Sequence, residues 1–311
     1  MQPCDVVCVA SWNVDLVAQI AQPLARGQTV LAHHFNRLPG GKGSNAAIAA
    51  ARQGAKVGLI ARVGGDDFGQ MGLDLWVHEG IDSRFVVRAE GEMNGTALIM
   101  VYDDGDNSIA VYPGAGVGLS STHVVAAQSM LAQARVVMAS CEVPLEATQT
   151  AFEIAKQHQA TTLLNPAPAM PLPDALWPWI DVLTPNEGEL LALAKEQDVT
   201  LAANALLARG VKAVVVTLGA NGCCLFRPNE SALHVSGHVV KVVDTIGAGD
   251  TVHGALLAYL DRHDALDAAV VRGFSEADWS AALTFAARAA AVTVSRPGAD
   301  PPWSRELGRP V

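Results

Sequence analysis

The sequence predicts an α/β protein built on a mostly parallel sheet, with a small β-sheet lid attached. Three observations carry this. Short unbroken apolar runs such as Val6–Ala10 alternate with helical patterns, as strands of a sheet covered on both faces do. Polar residues recur just past the ends of those runs. One stretch, 84–112, holds three short β-rich runs with no helix between them, which implies antiparallel hairpins and hence a flap.

In chain order, the first run ends at Ser11-Trp12-Asn13-Val14-Asp15. Residues just past the carboxyl end of a strand stand where α/β sheets bind ligands. Asn13 and Asp15 can each engage sugar hydroxyls, though turn formation is the commoner use of both residue types. Pro39-Gly40-Gly41-Lys42-Gly43-Ser44-Asn45 then opens an alanine-rich helix to about 53. Its glycines allow a ligand close to the backbone, with Lys42 and Asn45 in reach. Position 36 is Asn and Gly43 follows Lys42, so this is no P-loop.

A strand at 57–61 leads through Gly64-Gly65-Asp66-Asp67-Phe68-Gly69 to a helix ending near 79. The flap strands are 84–88, 96–102 and 108–112, and 12–39 supplies the rest, so the lid is 12–39 plus 84–112. From 120 the α/β rhythm resumes. A strand at 136–139 delivers Cys141 and Glu142, and one at 161–164 ends at Asn165. Residues 182–183 lead into Thr184-Pro185-Asn186-Glu187-Gly188-Glu189. A strand at 214–217 leads to Gly219-Ala220-Asn221-Gly222, whose Asn-Gly pair signals a hairpin. The last helix spans about 276–292 and stops before Arg296-Pro297-Gly298. No repeat or linker divides 1–311, which reads as a single domain.

The richest stretch is 244–254. The β-branched run 239–243 reads as a strand, and Gly247-Ala248-Gly249 forms an unshielded turn. Val252, Ala255, Leu256 and Tyr259 then recur at helical spacing. Backbone amides of such a turn, with the positive end of the helix dipole, make an anion hole. Asp250 sits where hole meets helix. A carboxylate there suits a base handling a proton beside a developing phosphoryl charge. The plainer role is a helix N-cap, and this stretch alone leaves both open.

Composition excludes several classes. The formal charge of −10, with no basic stripe, argues against nucleic acid. No apolar run reaches the roughly 18 residues that span a membrane, and Met1-Gln2-Pro3-Cys4-Asp5 lacks a basic leader. Five cysteines without metal-ligand spacing suit reduced thiols in the cytoplasm.

Gly40-Gly41-Lys42-Gly43-Ser44-Asn45 and Asp244-Thr-Ile-Gly-Ala-Gly-Asp250 resemble the two signatures of the ribokinase-like (PfkB) carbohydrate kinases. Asn165-Pro166-Ala167-Pro168-Ala169, Thr184-Pro185-Asn186-Glu187 and Thr217-Leu218-Gly219 are similar to the family in order and spacing. The likeness covers nearly the whole chain. It implies a three-layer α/β/α sandwich with a β-lid, and transfer of the ATP γ-phosphoryl group to the primary hydroxyl of a free pentose, D-ribose first. By position it makes Asp250 the base and Gly247, Ala248 and Gly249 the anion hole. Asn13, Asp15, Gly41, Lys42, Asn45 and Glu142 fall on sugar contacts. Asn186, Thr217, Gly219, Gly222 and Gly249 fall on the nucleotide side, with Asn186 and Glu189 linked to Mg²⁺. Asp244, Ile246, Thr293, Arg296 and Gly298 match a site for an activating monovalent cation, usually K⁺. A small sheet has one apolar face and few helices to cover it, so the flap is also expected to pair across a two-fold axis as a homodimer.

Three positions depart from the family. Pro302 replaces a frequent Ser at the cation, Ala287 a frequent His or Asn near adenine, and Gly116 a frequent Asn near the sugar. Alternatives are a kinase for 2-deoxyribose, a ketohexose or a nucleoside, and a sugar-binding regulator without catalysis. Asp250, Asn186 and Glu189 argue against the last, since binding alone needs no base. A dinucleotide-dependent oxidoreductase is the weaker alternative, because no G-x-G-x-x-G follows the first strand.

Overall fold

A computed structural model describes residues 3–262 and 273–307. In its first half lie β1 (Val6–Ala10), β2 (Asn13–Ile20), β3 (His34–Gly40), α1 (Lys42–Arg52), β4 (Val57–Gly64), α2 (Asp67–His78), β5 (Asp82–Ala89), β6 (Gly95–Tyr102) and β7 (Asn107–Tyr112). Then come α3 (Ser121–Ala126), α4 (Gln128–Leu131), β8 (Val136–Ser140), α5 (Leu145–Gln157), β9 (Thr161–Asn165), β10 (Val182–Leu183), α6 (Glu187–Ala194) and α7 (Val199–Leu207). The chain closes with β11 (Ala213–Thr217), β12 (Cys223–Phe226), β13 (Leu233–Val235), α8 (Ala248–Arg262), α9 (Glu276–Val294) and α10 (Ser304–Leu307).

Nine strands form the main sheet, in the order β13-β12-β11-β10-β9-β8-β1-β4-β5. From β11 to β5 every neighbouring pair is parallel, and β12 and β13 add an antiparallel edge. Alternate residues of β1 serve opposite faces. Val6, Cys8 and Ala10 join one core with α1, α2, α8 and α9, while Val7 and Val9 join the other with α3 to α7. That is the three-layer sandwich, and it explains why the central strands are apolar without alternation. The chain leaves β1 toward β4 and β5 and returns to β8 on the other side. The strand order therefore switches beside β1, the place where such sheets bind ligands at their carboxyl ends.

The second sheet has the order β3-β2-β6-β7, so the flap consists of residues 13–20, 34–40, 95–102 and 107–112. Its base is fixed by buried groups. The Trp12 indole N–H donates to the Phe68 carbonyl at 2.9 Å, and its ring meets Trp76 edge-on with centroids 5.5 Å apart. Asn94, also buried, accepts from the Gly64 amide at 3.1 Å and donates to the Gly95 carbonyl at 2.9 Å.

Two strand expectations are corrected. The run at 84–88 is not a flap strand: β5 pairs in parallel with β4. Helix α2 is its crossover, which makes the pair a βαβ unit rather than a hairpin. The run 239–243 is not a strand either. Val239, Val240, Val242 and Val243 are exposed, and the segment meets the end of α9 through the Val243 and Asp244 amides, both bonded to the Val294 carbonyl. Local β-propensity had no neighbouring strand there to pair with.

Candidate active site

The carboxyl ends of β1, β8, β9, β10 and β11 point to one edge of the sheet, because these strands are parallel. Glu142, Asn165, Asn186 and Thr217 are delivered there, and the first turns of α1 and α8 face them. Gly41 caps α1 at φ 92°, and a Cβ on it would lie 2.5 Å from the Ser11 carbonyl oxygen. Only glycine lets the helix start that close to the end of β1. The approach brings the Lys42 amide to Glu142, donating to its Oε2 at 2.8 Å. The Ser11 hydroxyl donates to the same oxygen at 2.6 Å. Ser11 was not singled out from sequence; a hydroxyl at the carboxyl end of β1 was the available signal.

One turn along α1, Asn45 Nδ2 donates to Asp250 Oδ2 at 2.9 Å. Asp250 is 8% exposed. Burial raises its pKa, while Lys42 and the Asn45 hydrogen bond oppose the rise. Burial pulls the Lys42 ammonium down, but Asp250, Glu142, Glu189 and Asp15 outweigh that and raise its pKa. Asp15 is pushed up to about 6 by burial and by the negative charges of Glu142 and Asp250. Lys42 thus stands as the cation among four carboxylates. Asp15 and Asn13 lie on β2, the first flap strand, rather than in a loop after β1.

In the turn before α8 the Ala248 amide is taken by the Thr245 carbonyl at 3.3 Å. Gly247 adopts φ +73°, and a Cβ there would lie 2.5 Å from that of Ala299. Gly249 faces open space. Among the described residues the Gly249 and Asp250 amides find no acceptor, as the first amides of a helix do unless a ligand meets them.

Asn186 caps α6. Its Oδ1 accepts from the Glu189 amide, and Glu189 Oε2 accepts from the Asn186 amide, each at 2.8 Å. Asn186 also bridges Thr217 in parallel, so these two residues share one corner. Gly219 and Gly222 flank the turn from β11 to β12. Asp244 holds the opposite corner: its Oδ1 accepts from the Ile246 amide at 2.9 Å and its Oδ2 from the Gly298 amide at 2.8 Å. Thr293 meets Thr251 hydroxyl to hydroxyl at 3.0 Å. The Arg296 side chain turns away, to Glu306 and Asp300.

A cluster of carboxylates around Lys42, with the buried Asp250 beside open helix-start amides on a three-layer α/β/α frame, has the make-up of a kinase that phosphorylates an alcohol. The chain belongs to the pfkB family of carbohydrate kinases, whose sequence model matches residues 4–306. It is 34% identical over 296 residues to a ribokinase of Haemophilus influenzae, covering 94% of this chain and 92% of that one. A deoxyribokinase of Salmonella typhi is 32% identical over 275 residues, covering 86% and 89%. The structure of Arabidopsis thaliana ribokinase complexed with ribose and ATP superposes with a TM-score of 0.85 at 28% identity, covering 98% of each chain.

Proposed function

We propose that the protein is an ATP-dependent ribokinase that phosphorylates the primary hydroxyl of free D-ribose to give ribose 5-phosphate. The arrangement of Asp250 carries this reading: a buried carboxylate held by Asn45 at 2.9 Å beside two amides without acceptors. Similarity to ribokinases over nearly the full chain supports ribose as the sugar.

An alcohol is a weak nucleophile, and Asp250 accepts its proton as it attacks the γ-phosphoryl group. Burial raises the basicity of this carboxylate, while Lys42 and the Asn45 hydrogen bond favour its ionised form. The Gly249 and Asp250 amides and the α8 dipole face the charge that develops in transfer. Asp15, Asn13, Asn45 and Glu142 present acceptors and amides to sugar hydroxyls, and the Ser11 hydroxyl and Lys42 amide fix Glu142 for that task. The flap carries Asp15 and Asn13, so its closure over the sugar excludes water.

No group of three or more His, Cys, Asp or Glu that could hold a metal occurs among the described residues. Besides their reciprocal bonds, the Asn186 and Glu189 side chains offer oxygen donors that would suit Mg²⁺ arriving with the nucleotide, which would neutralise phosphate charge there. By the resemblance to the family, Asp244, Ile246, Thr293, Arg296 and Gly298 would hold a monovalent cation such as K⁺, largely through carbonyl oxygens. Thr217, Gly219 and Gly222 line the nucleotide side. Pairing of two flaps in a homodimer would cover the exposed Ile109 and Val111, which share one face of the flap. No helix among the described residues is long and apolar enough to cross a membrane, and the five free, buried cysteines suit a reducing cytoplasm. ADP release with ATP and a panel of free sugars and nucleosides tests the reading. Ribose should give the highest kcat/KM, and a clear preference for 2-deoxyribose or a ketohexose would overturn it.

A further inference from the structure

Helix α8 carries the base, and three side chains in its first two turns tie it to three different elements. Asp250 reaches Asn45 on α1. Thr251 reaches Thr293 on α9. The third is His253, on the same side of the helix as Asp250 by its i+3 spacing. His253 is 4% exposed, a polar side chain on a helix whose other buried positions from Val252 to Leu260 are almost all apolar. Its Nε2 lies 3.3 Å from the Thr184 carbonyl oxygen, and its Nδ1 lies 3.4 Å from Asn165 Nδ2.

These partners fix the tautomer. A carbonyl only accepts, so Nε2 carries the proton; the Asn165 amide then donates to the bare Nδ1. Burial and the Lys42 charge push the imidazole down to about 4, so this neutral form persists at working pH. Asn165 ends β9. Thr184 follows β10 and precedes the Asn186 cap of α6 by two residues.

The geometry points to His253 as a positioning residue that locks the catalytic helix in register with the ends of β9 and β10, and through Thr184 with the Asn186–Glu189 element. Apolar packing alone leaves a helix free to slide by fractions of an ångström. Two directional bonds at one side chain oppose both sliding and rotation. Asp250 and the open amides must be placed against a phosphoryl group held from the Asn186 side, so the bonds of His253 act on turnover rather than on ground-state binding. Misplacement by about 1 Å can cost on the order of 10²-fold in rate.

This inference rests on the kinase reading, and its test separates the two. His253→Leu, His253→Asn and His253→Gln are compared with wild type on the best sugar of the panel, by kcat, both KM values and thermal melting. Asn can restore the acceptor near Nδ1, and Gln the donor near Nε2. The inference expects kcat of folded His253→Leu to fall about 10- to 100-fold. Both KM values should stay within about threefold. At least one amide variant should recover most of the loss. A folded His253→Leu with wild-type kcat would overturn it, as would equal kcat losses in all three variants. If His253→Leu does not fold, the amide variants decide: near-wild-type kcat in one supports the inference, and low kcat with raised KM in both sinks it. A wild type inactive on every sugar would overturn the kinase reading itself, and this inference with it.

Discussion

Asn45 Nδ2 donates to Asp250 Oδ2 at 2.9 Å across 205 residues of sequence. The bond joins the first turns of two helices whose glycine-rich starts lie at opposite ends of the chain. It answers the question the sequence leaves open at Asp250. An N-cap aspartate spends its carboxylate on its own helix, whereas Asp250 lies inside α8 and points to α1, leaving the amides at the helix start open. The carboxylate and the open amides therefore lie side by side, neither spent on the other.

The raised pKa of Asp15 predicts how sugar binding responds to pH. Asp15 titrates near 6 in the folded protein, so it is an acceptor-only carboxylate above that pH and a neutral acid below it. The ribose KM should rise as pH falls from 7 to 5, and Asp15→Asn should flatten that dependence while raising KM at pH 7.5. Stability should move the other way. A carboxyl whose folded pKa lies above its unfolded value stabilises the fold when protonated, below the unfolded pKa, and that contribution is lost as pH rises through 6. Asp15→Asn should thus raise stability at pH 8 by roughly 1–3 kcal/mol and by much less at pH 4. Thermal melts of both proteins at the two pH values check it; equal shifts at both would contradict the assignment.

The strand register predicts an assembly that depends on the flap. Asp15, Ala97 and Val111 face one another across three strands, as do Val17, Ile99 and Ile109, so Ile109 and Val111 share a face with Asp15. Both are exposed. Replacing both with Lys should yield a monomer by sedimentation equilibrium and raise the ribose KM at unchanged melting temperature. A wild type that sediments as a fully active monomer at micromolar concentration would contradict the dimer.

A third expectation concerns the cation. The Pro302 carbonyl accepts from Gln53 Nε2 at 2.6 Å, so this residue is tied to α1 and offers no side-chain oxygen. The proposed cation contacts at Asp244, Ile246, Thr293, Arg296 and Gly298 do not require a side-chain oxygen from residue 302. Turnover should rise with K⁺ at fixed ionic strength, and Pro302→Ser should lower the half-activating concentration with little change in ribose KM. A flat response of the wild type to K⁺, against a large organic cation as control, would remove the site.

Much of this was legible in the sequence because burial on both faces writes unbroken apolar runs, and parallel strands then deliver their terminal residues to one edge. Glu142, Asn165, Asn186 and Thr217 could be placed that way. Partner choice is not written locally. The run at 84–88 looks like its flap neighbours, and only its crossover through α2 assigns it to the main sheet. The valines at 239–243 have β-propensity but no neighbour to pair with. His253 was passed over because a single polar residue on a buried helix breaks no periodicity. Its function depends on Asn165 and Thr184, 88 and 69 residues away.

The central claim is that Asp250 takes the proton of the sugar hydroxyl. Asp250→Asn keeps the shape of the side chain and can keep its contact with Asn45, but it cannot accept a proton as a base. Steady-state ADP release with saturating ribose and ATP, alongside ribose binding by calorimetry, tests the claim most directly. The account predicts ribose affinity within a few-fold of wild type and turnover lower by roughly 10²–10⁴-fold. A folded Asp250→Asn enzyme with near-wild-type turnover would contradict it.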